Sequence, residues 1–116
     1  MPVFRADSVP KALVKAEGAS CAYVQEFITL REGVPNFALR VFELEPGGYT
    51  PRHQHDWEHE NYILSGEGEL LLPDGSTTPL RPGDAVLVRP NEVHQYRNVG
   101  STPFRFICCI PNPKPS

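Results

Sequence analysis

The residues of this chain best suited to chemistry are its four histidines, which fall into two short segments. His53, His55 and His59 lie within seven residues of one another, and His94 stands alone in the later segment PNEVHQYRN. Imidazole nitrogens gathered in this way are ligands that a divalent transition metal binds well. The sequence therefore predicts that His53, His55, His59 and His94 hold one metal ion.

The spacing of these histidines predicts how the chain must position them. Residues two apart in a strand face the same side, so His53 and His55 are expected to present both imidazoles to one face. His59 follows after Asp56-Trp57-Glu58, which leaves room for a turn before the next strand. A facing antiparallel strand of a β-barrel would bring His94 across to the others.

The rest of the sequence predicts an all-β scaffold. Thirteen prolines and nine glycines in 116 residues leave little room for helix and separate short β-rich stretches. We expect strands over residues 21–30, 37–45, 60–65, 68–72, 84–89, 94–99 and 104–110. Asp74-Gly75 is a hairpin signal, because glycine takes the positive φ that such a turn requires. Many short strands with turns between them indicate a sandwich or barrel.

Strand alternation and the chain ends give further expectations. Alternation places Phe104, Phe106 and Cys108 on one face of the last strand, and Arg40, Phe42 and Leu44 on one face of another. Residues 1–20 form an N-terminal arm, in which residues 9–18 are compatible with a helical turn, a coil or an edge strand. Residues 111–116 carry three prolines and are expected to be an exposed tail.

Composition excludes several classes of partner. Eleven Lys and Arg against fourteen Asp and Glu give a net charge of −3 without a basic stripe, which argues against nucleic acid and anionic membrane as partners. No apolar run approaches the roughly 20 residues that span a bilayer. The N-terminus lacks the apolar region of a signal peptide, so we expect a cytoplasmic protein.

The cysteines do not predict a disulfide framework. Their number is odd, with Cys21 separate from the adjacent Cys108 and Cys109. Neighbours in a strand point to opposite faces, so Cys108 and Cys109 are not expected to bind one metal together. Either both are small strand residues, or one of them lines the interior near the metal.

The two histidine segments carry the motifs through which the chain resembles the cupin superfamily, specifically its small single-domain members. The first cupin motif runs Gly, five residues, His-x-His, three or four residues, Glu, six residues, Gly. Here Gly47 is followed by five residues and then His53-Gln54-His55. Counting back six residues from Gly66 reaches His59, whereas a four-residue gap after His55 reaches Glu60.

The second motif runs Gly, five residues, Pro-x-Gly, two residues, His, three residues, Asn. Gly83, His94 and Asn98 stand at this spacing, but Arg89 and Asn91 replace the Pro and Gly. The resemblance implies one cupin domain over residues 1–116, folded as a double-stranded β-helix or jelly-roll barrel. It also implies a homodimer, in which N-terminal strands could pair with the neighbour's sheet.

The acidic position is where this sequence departs most from the cupin pattern. Cupins commonly bind metal with three His and one Glu, and this chain is similar to a small-cupin variant in which a fourth His replaces the carboxylate. In an extended segment His59 and Glu60 face opposite ways, so only one of them reaches the metal. We predict His59, because it keeps the register to Gly66, with Glu60 as the alternative.

The resemblance and the donor set together suggest the chemistry. Neutral imidazoles admit Mn, Fe, Ni, Cu or Zn, and we favour Mn or Fe, which leave open positions for a small-molecule substrate. The first hypothesis is an oxidoreductase of dioxygenase type. The alternatives are a non-enzymatic binding or sensing module, and an isomerase or lyase acting on a sugar-like or keto-acid substrate. No catalytic residue stands out among Glu58, Glu60, Tyr49, Tyr62 and Tyr96.

Overall fold

The computed structural model of the chain describes residues 1–33 and 36–111. Within these residues there are nine strands and two short 3-10 helices, Ala6–Ser8 and Leu30–Glu32. The strands are β1 (Ala12–Leu13), β2 (Ser20–Ile28), β3 (Phe37–Tyr49), β4 (His59–Ser65), β5 (Gly68–Leu71), β6 (Thr77–Leu80), β7 (Ala85–Val88), β8 (Gln95–Asn98) and β9 (Phe104–Pro111). The prediction of an all-β fold is confirmed.

The strands form one curled sheet in the order β6-β5-β8-β3-β9-β4-β7, and β2 and β1 extend it from β3. The described pairings are antiparallel. The last strand, β9, lies between β3 and β4, which are its neighbours on either side. A curled antiparallel sheet of this kind agrees with the predicted barrel.

The concave face of the sheet is built by strand alternation. Along β9 every second residue is buried, beginning with Phe104 and Phe106, and the residues between them are half-buried. The facing positions of β3 are in register with them, since Phe42 pairs with Phe106 and Leu44 with Phe104. Phe42 and Phe106 stack with ring centroids 5.6 Å apart. The predicted faces of these two strands are therefore confirmed.

The hairpin between β5 and β6 forms where the Asp74-Gly75 signal predicted it. Gly75 has a φ of +88°, and its amide donates to the Leu72 carbonyl at 2.9 Å. The Asp74 carboxylate accepts from the Ser76 amide at 2.9 Å. Glycine permits the left-handed conformation, and the aspartate satisfies a backbone donor of the turn.

The strand predicted over residues 37–45 ends too early, at the start of the segment EPGG of residues 45–48. Strand β3 continues through it to Tyr49, with a break in register against β2 between the pairs Ala22–Leu44 and Ser20–Tyr49. Gly47 takes a φ of +81° inside this irregularity. A Cβ on Gly48 would lie 2.7 Å from the Cys21 carbonyl oxygen. The glycines thus make a bulge within a strand rather than a turn between strands.

The N-terminal arm lies along β2. Residues 9–18 were compatible with a helical turn, a coil or an edge strand, and they include a short edge strand, β1, which pairs with β2. The Gln25 side-chain amide donates to the carbonyl oxygens of Ala6 and Val9, each at 2.9 Å, and so attaches the arm. At the other end, β9 includes Pro111, which was assigned to the tail, and residues 112–116 of that tail lie outside the described residues.

Among the described residues there is no helix that is both long and apolar enough to cross a membrane.

Candidate metal centre

The two histidine segments meet through a backbone bridge. The His53 amide donates to the His94 carbonyl at 3.1 Å, and the His94 amide donates to the His53 carbonyl at 3.0 Å. The antiparallel approach of His94 was predicted and is confirmed. The expectation that His53-Gln54-His55 forms a strand is wrong, because only His53 takes part in an isolated bridge and the rest of the segment is irregular.

Three of the four histidines form a compact group. His53, His55 and His94 each offer a ring nitrogen, and these nitrogens all lie within 4.8 Å of one another. The ring centroids are 4.9 Å apart for His53 and His94, and 5.3 Å apart for His55 and His94. Such a set of imidazoles converging on one point can hold a divalent metal ion.

Backbone carbonyls orient two of these rings. Nδ1 of His55 lies 2.7 Å from the Trp57 carbonyl oxygen, and Nδ1 of His94 lies 2.8 Å from that of Glu92. A carbonyl only accepts, so each Nδ1 carries the proton and each Nε2 keeps its lone pair. The Trp57 ring also stacks on His55 at 4.5 Å between centroids. This is the outer support that metal-binding histidines usually have.

Asn91 explains why the departure from the second cupin motif is tolerated. It replaces the motif glycine and has a φ of 65°, in the left-handed region that asparagine enters more readily than most residues. Its amide donates to the His55 carbonyl at 2.6 Å. The turn that the motif glycine would make is therefore kept, and it holds the backbone of a candidate ligand.

His59 lies beside the group of three, but it is not part of the set whose ring nitrogens all lie within 4.8 Å of one another. It is the first residue of β4 and is buried, and its ring centroid is 5.0 Å from those of His55 and His94. Its Nδ1 lies 3.1 Å from Nε2 of His55, while its Nε2 is buried and has no hydrogen-bond partner among the described residues. A buried nitrogen that lacks a partner beside three converging imidazoles fits a metal site.

Glu60 faces the other way. It is exposed on the outer face of the sheet, in register with Leu87 on one side and Cys109 on the other. Its carboxyl is hydrogen-bonded to that of Glu58, which is the first cause of the raised pKa of Glu60. The predicted opposition of His59 and Glu60 is confirmed.

Burial keeps the imidazoles of His53, His59 and His94 neutral. It is the largest cause lowering the pKa of His59 to about 3, and the neighbouring His94, His55 and Arg40 lower it further. Burial also lowers the pKa values of His53 and His94. Neutral imidazoles are the form that binds metal, so at neutral pH no proton has to leave these three rings.

A polar layer lies below the cluster, and its member Asn61 was not identified from the sequence. The Tyr96 hydroxyl donates to Oδ1 of Asn61, and Nδ2 of Asn61 donates to the Ile107 carbonyl at 3.1 Å. Arg40 donates from Nη2 to Sγ of Cys108 at 3.5 Å. Tyr96 and Asn61 follow His94 and His59 by two residues, so alternation was the signal that could have found them.

The remaining candidates divide between the two faces of the sheet. Cys108 is buried on the inner face, whereas Cys109 is half-buried opposite Glu60 on the outer face. Of the five residues considered for catalysis, none of which stood out, Tyr96 faces the interior, and Glu58, Glu60, Tyr49 and Tyr62 are exposed.

Known proteins resemble this chain in sequence and in fold. The model of the family described as "Cupin domain" matches residues 40–110, which include both histidine segments. The structure of the polyketide cyclase RemF from Streptomyces resistomycificus superposes with a TM-score of 0.93 and 33% sequence identity, covering 100% of this chain and 82% of that one.

Two curated relatives match over shorter stretches. Polyketide synthase CurC of Streptomyces cyaneus is 33% identical over 76 residues, which cover 63% of this chain and 49% of that protein. Gentisate 1,2-dioxygenase of a Ralstonia species is 32% identical over 60 residues, which cover 52% of this chain and 17% of that protein. The chain thus spans about half or less of the length of these and of several other curated relatives.

Proposed function

The chain belongs to the cupin domain family, and from this premise we propose that it is a metal-dependent enzyme that activates a small carbonyl compound for ring closure. The observation that carries the proposal is the convergence of three imidazoles in a chain that aligns over its whole length with a polyketide cyclase. Ring closure of a poly-β-carbonyl chain requires an enol or enolate. The candidate centre is suited to stabilise one.

We assign His53, His55 and His94 as metal ligands and His59 as the fourth. Support for His59 comes from its burial next to the other rings and from its Nε2, which lacks a partner. Glu60 is assigned no ligand role, because its side chain is on the opposite face of β4.

The metal, when bound, would polarise a carbonyl oxygen and so acidify the adjacent C–H bonds. The imidazoles contribute no negative charge, which leaves the centre cationic and favours an anionic oxygen as its ligand. Ligand softness admits several metals, and Mn or Fe remains the prediction, with Zn, Ni and Cu as the other possibilities.

The chain's own residues orient the imidazole rings and form one side of the site from which water is excluded. Backbone carbonyls fix the rings of His55 and His94, and the Tyr96–Asn61 pair fills the adjacent interior. Below them Phe106 stacks on Tyr96 with centroids 4.6 Å apart. This apolar floor would exclude water from one side of a bound substrate, which strengthens electrostatic interactions at the cluster.

The second candidate function is oxygen-dependent, as in a dioxygenase-type oxidoreductase. It is favoured by the match to gentisate 1,2-dioxygenase, although that match covers 17% of the relative. Oxygen consumption distinguishes the two functions, because Lewis-acid enolisation proceeds without it. Ligand binding that persists after metal removal would indicate a non-enzymatic binding module instead.

The test measures metal content and enolisation on the same samples. We expect about one equivalent of metal by elemental analysis of untagged protein, lost in His94→Ala and His59→Ala and retained in Glu60→Ala and Gln54→Ala. We expect metal-loaded protein under nitrogen to speed deuterium exchange into the α-carbon of ethyl acetoacetate, measured by NMR. Exchange no faster than with His94→Ala would refute the carbonyl-activating function, and metal retained in His59→Ala would refute the fourth ligand.

We also propose that two copies pair through the outer face of β4 and β7. Tyr62, Leu64 and Leu87 are 47%, 38% and 48% exposed there, which is unusual for large apolar side chains clustered on adjacent strands. A second copy related by two-fold symmetry would cover this face with the same residues.

A further inference from the structure

Directly below the histidines, three neighbouring strands form one polar layer of the interior. Arg40 of β3 is paired with Cys108 of β9, which is paired in turn with Asn61 of β4. Asn61 follows the buried His59 by two residues on the same face of β4. Two residues of strand span roughly 7 Å, so a small ligand that enters at the cluster can contact this layer.

The guanidinium of Arg40 is held in a defined orientation on the inner face. Its Nη2 donates to Sγ of the buried Cys108 at 3.5 Å, and its central carbon lies 5.0 Å from the centroid of the Phe42 ring. The contact with Cys108 adds no negative charge, because burial raises the pKa of that thiol and keeps it neutral. Packing and hydrogen bonding thus place a cation at this level of the barrel.

The other polar members of the layer are engaged with each other. Asn61 accepts from the Tyr96 hydroxyl and donates to the Ile107 carbonyl. Arg40 differs from them in kind, since a guanidinium carries five N–H donors in a planar fork that matches two oxygens at once. It is the member of the layer best suited to bind an anion.

The charges around the cluster favour the same class of ligand. Arg40 brings a positive charge to the inner face of the sheet one layer below His59, where its neighbours Asn61 and Tyr96 are uncharged. Glu58 and Glu60 are exposed on the outer side of the sheet. A ligand with negative charge spread over oxygens in a 1,3 relationship would match both the cluster and the fork.

We propose that Arg40 is the anion-binding residue of this site and holds a carboxylate or enolate oxygen of the substrate one layer below the histidines. The substrate class is then a small β-keto acid, β-diketone or related 1,3-dioxygenated compound. The inference rests on the proposed function in taking the histidine cluster as the point where the substrate enters.

The test uses malonate as the probe and calorimetry as the readout. Zinc-loaded protein is titrated with malonate for the wild type, Arg40→Met, Arg40→Lys and Arg105→Met. Methionine keeps an unbranched stem against Phe42 and removes the charge, and lysine keeps the charge without the fork. Arg105 is the matched control, because it is an arginine of β9 that pairs with Glu43 at 3.3 Å on the outer side.

We expect malonate affinity to fall roughly tenfold or more in Arg40→Met, as for the loss of one charge-assisted contact, and by a smaller factor in Arg40→Lys. Arg105→Met should bind malonate as the wild type does. Zinc content and thermal unfolding of each variant show that the site and the fold are intact. Equal malonate affinity in wild type and Arg40→Met, or no malonate binding by zinc-loaded wild type, would overturn the proposal. If Arg40→Met does not fold, the same two comparisons are made with Arg40→Lys.

Failure of this proposal is distinguishable from failure of the proposed function. Malonate binding that is insensitive to Arg40, together with metal-dependent deuterium exchange, removes the subsite and keeps the function. Malonate binding that depends on Arg40, without any exchange above the His94→Ala level, keeps the subsite and removes the carbonyl-activating function.

Discussion

At the scale of single residues, the four histidines differ in how they are held. His55 and His94 are fixed by hydrogen bonds from Nδ1 to backbone carbonyls. Nδ1 of His59 lies beside Nε2 of His55, and its own Nε2 is buried with no partner in the part of the chain that the structure describes. A metal-free protein therefore leaves His59 with an unmet polar atom, which costs stability that a ligand at this nitrogen would restore.

The first prediction concerns the pH dependence of metal-free protein. The pKa of His59 is about 3 in the folded state against an ordinary 6.5, so below pH 6.5 the unfolded chain binds a proton that the folded chain does not. The free energy of unfolding should then fall as pH decreases from 6.5 toward 4, with a contribution from this one site of up to about 1.4 kcal/mol per pH unit.

Urea unfolding of chelator-treated wild type and His59→Phe between pH 4 and 7 measures this contribution. The wild type should lose more stability than the variant as pH falls, because the variant lacks one such proton. The carboxylates titrate in both proteins and largely cancel in the difference. Parallel pH profiles would mean that the His59 ring is not buried in its neutral form.

At the scale of elements, the bulge in β3 links the sheet to the candidate metal centre. After the bulge the Thr50 amide donates to the Tyr96 carbonyl at 2.9 Å, and the Thr50 hydroxyl accepts from the Tyr96 amide at 2.9 Å. Three residues later the chain reaches His53 and its bridge to His94. The position of the bulge therefore sets how the irregular histidine segment faces β8.

The second prediction tests this element with two adjacent glycines. A Cβ at Gly48 would lie 2.7 Å from the Cys21 carbonyl oxygen and 2.9 Å from that of Glu45, so backbone would have to move. We expect Gly48→Ala to destabilise the protein by about 1–3 kcal/mol and to weaken metal binding. At Gly47 nothing lies within 4 Å of the added atom, and asparagine tolerates its positive φ.

Gly47→Asn is therefore the control, with a change in unfolding free energy of roughly 1 kcal/mol or less. Thermal unfolding of the two variants and zinc titration by calorimetry give both quantities. A Gly48→Ala protein as stable as Gly47→Asn would show that the bulge can adjust and does not fix the histidine segment.

At the scale of the whole molecule, the sequence predicted which face of a strand each side chain occupies better than it predicted which strands lie side by side. The burial of His59 against Glu60 and the inward Phe104, Phe106 and Cys108 follow from alternation, which is local. The order of strands is set by barrel closure, which brings residues distant in the sequence together. Local patterns therefore could not predict that Arg40, Cys108 and Asn61 lie side by side in one layer. They could predict only the face of its own strand on which each residue lies.

Two errors have the same physical origin. The segment EPGG has turn composition, but its neighbours Ser20 and Cys21 keep it within a strand, and this contact is tertiary. The segment around His53 alternates like a strand, but it finds a pairing partner only at His94 and is otherwise irregular. In both places the long-range contact, rather than the local residue preference, decides the conformation.

The third prediction concerns assembly. Since Leu87 is exposed on the outer face of the edge strand β7, beside Glu60 of β4, a charge there should oppose pairing of two copies. We expect light scattering after size exclusion to give twice the mass of one chain for the wild type. For Leu87→Glu we expect the mass of one chain. Val99→Glu, at another residue that is 56% exposed, should stay dimeric. A monomeric wild type would rule the dimer out.

The central place of β9 has a consequence for how the protein is made. Strands β3 and β4 are joined through β9, so the interior layers stay open until residues 104–111 have left the ribosome. A nascent chain that already carries all four histidines thus lacks the wall against which His59 is buried. Folding must wait for the last strand of the barrel to be synthesised, and a chain truncated before it should occupy chaperones rather than acquire metal.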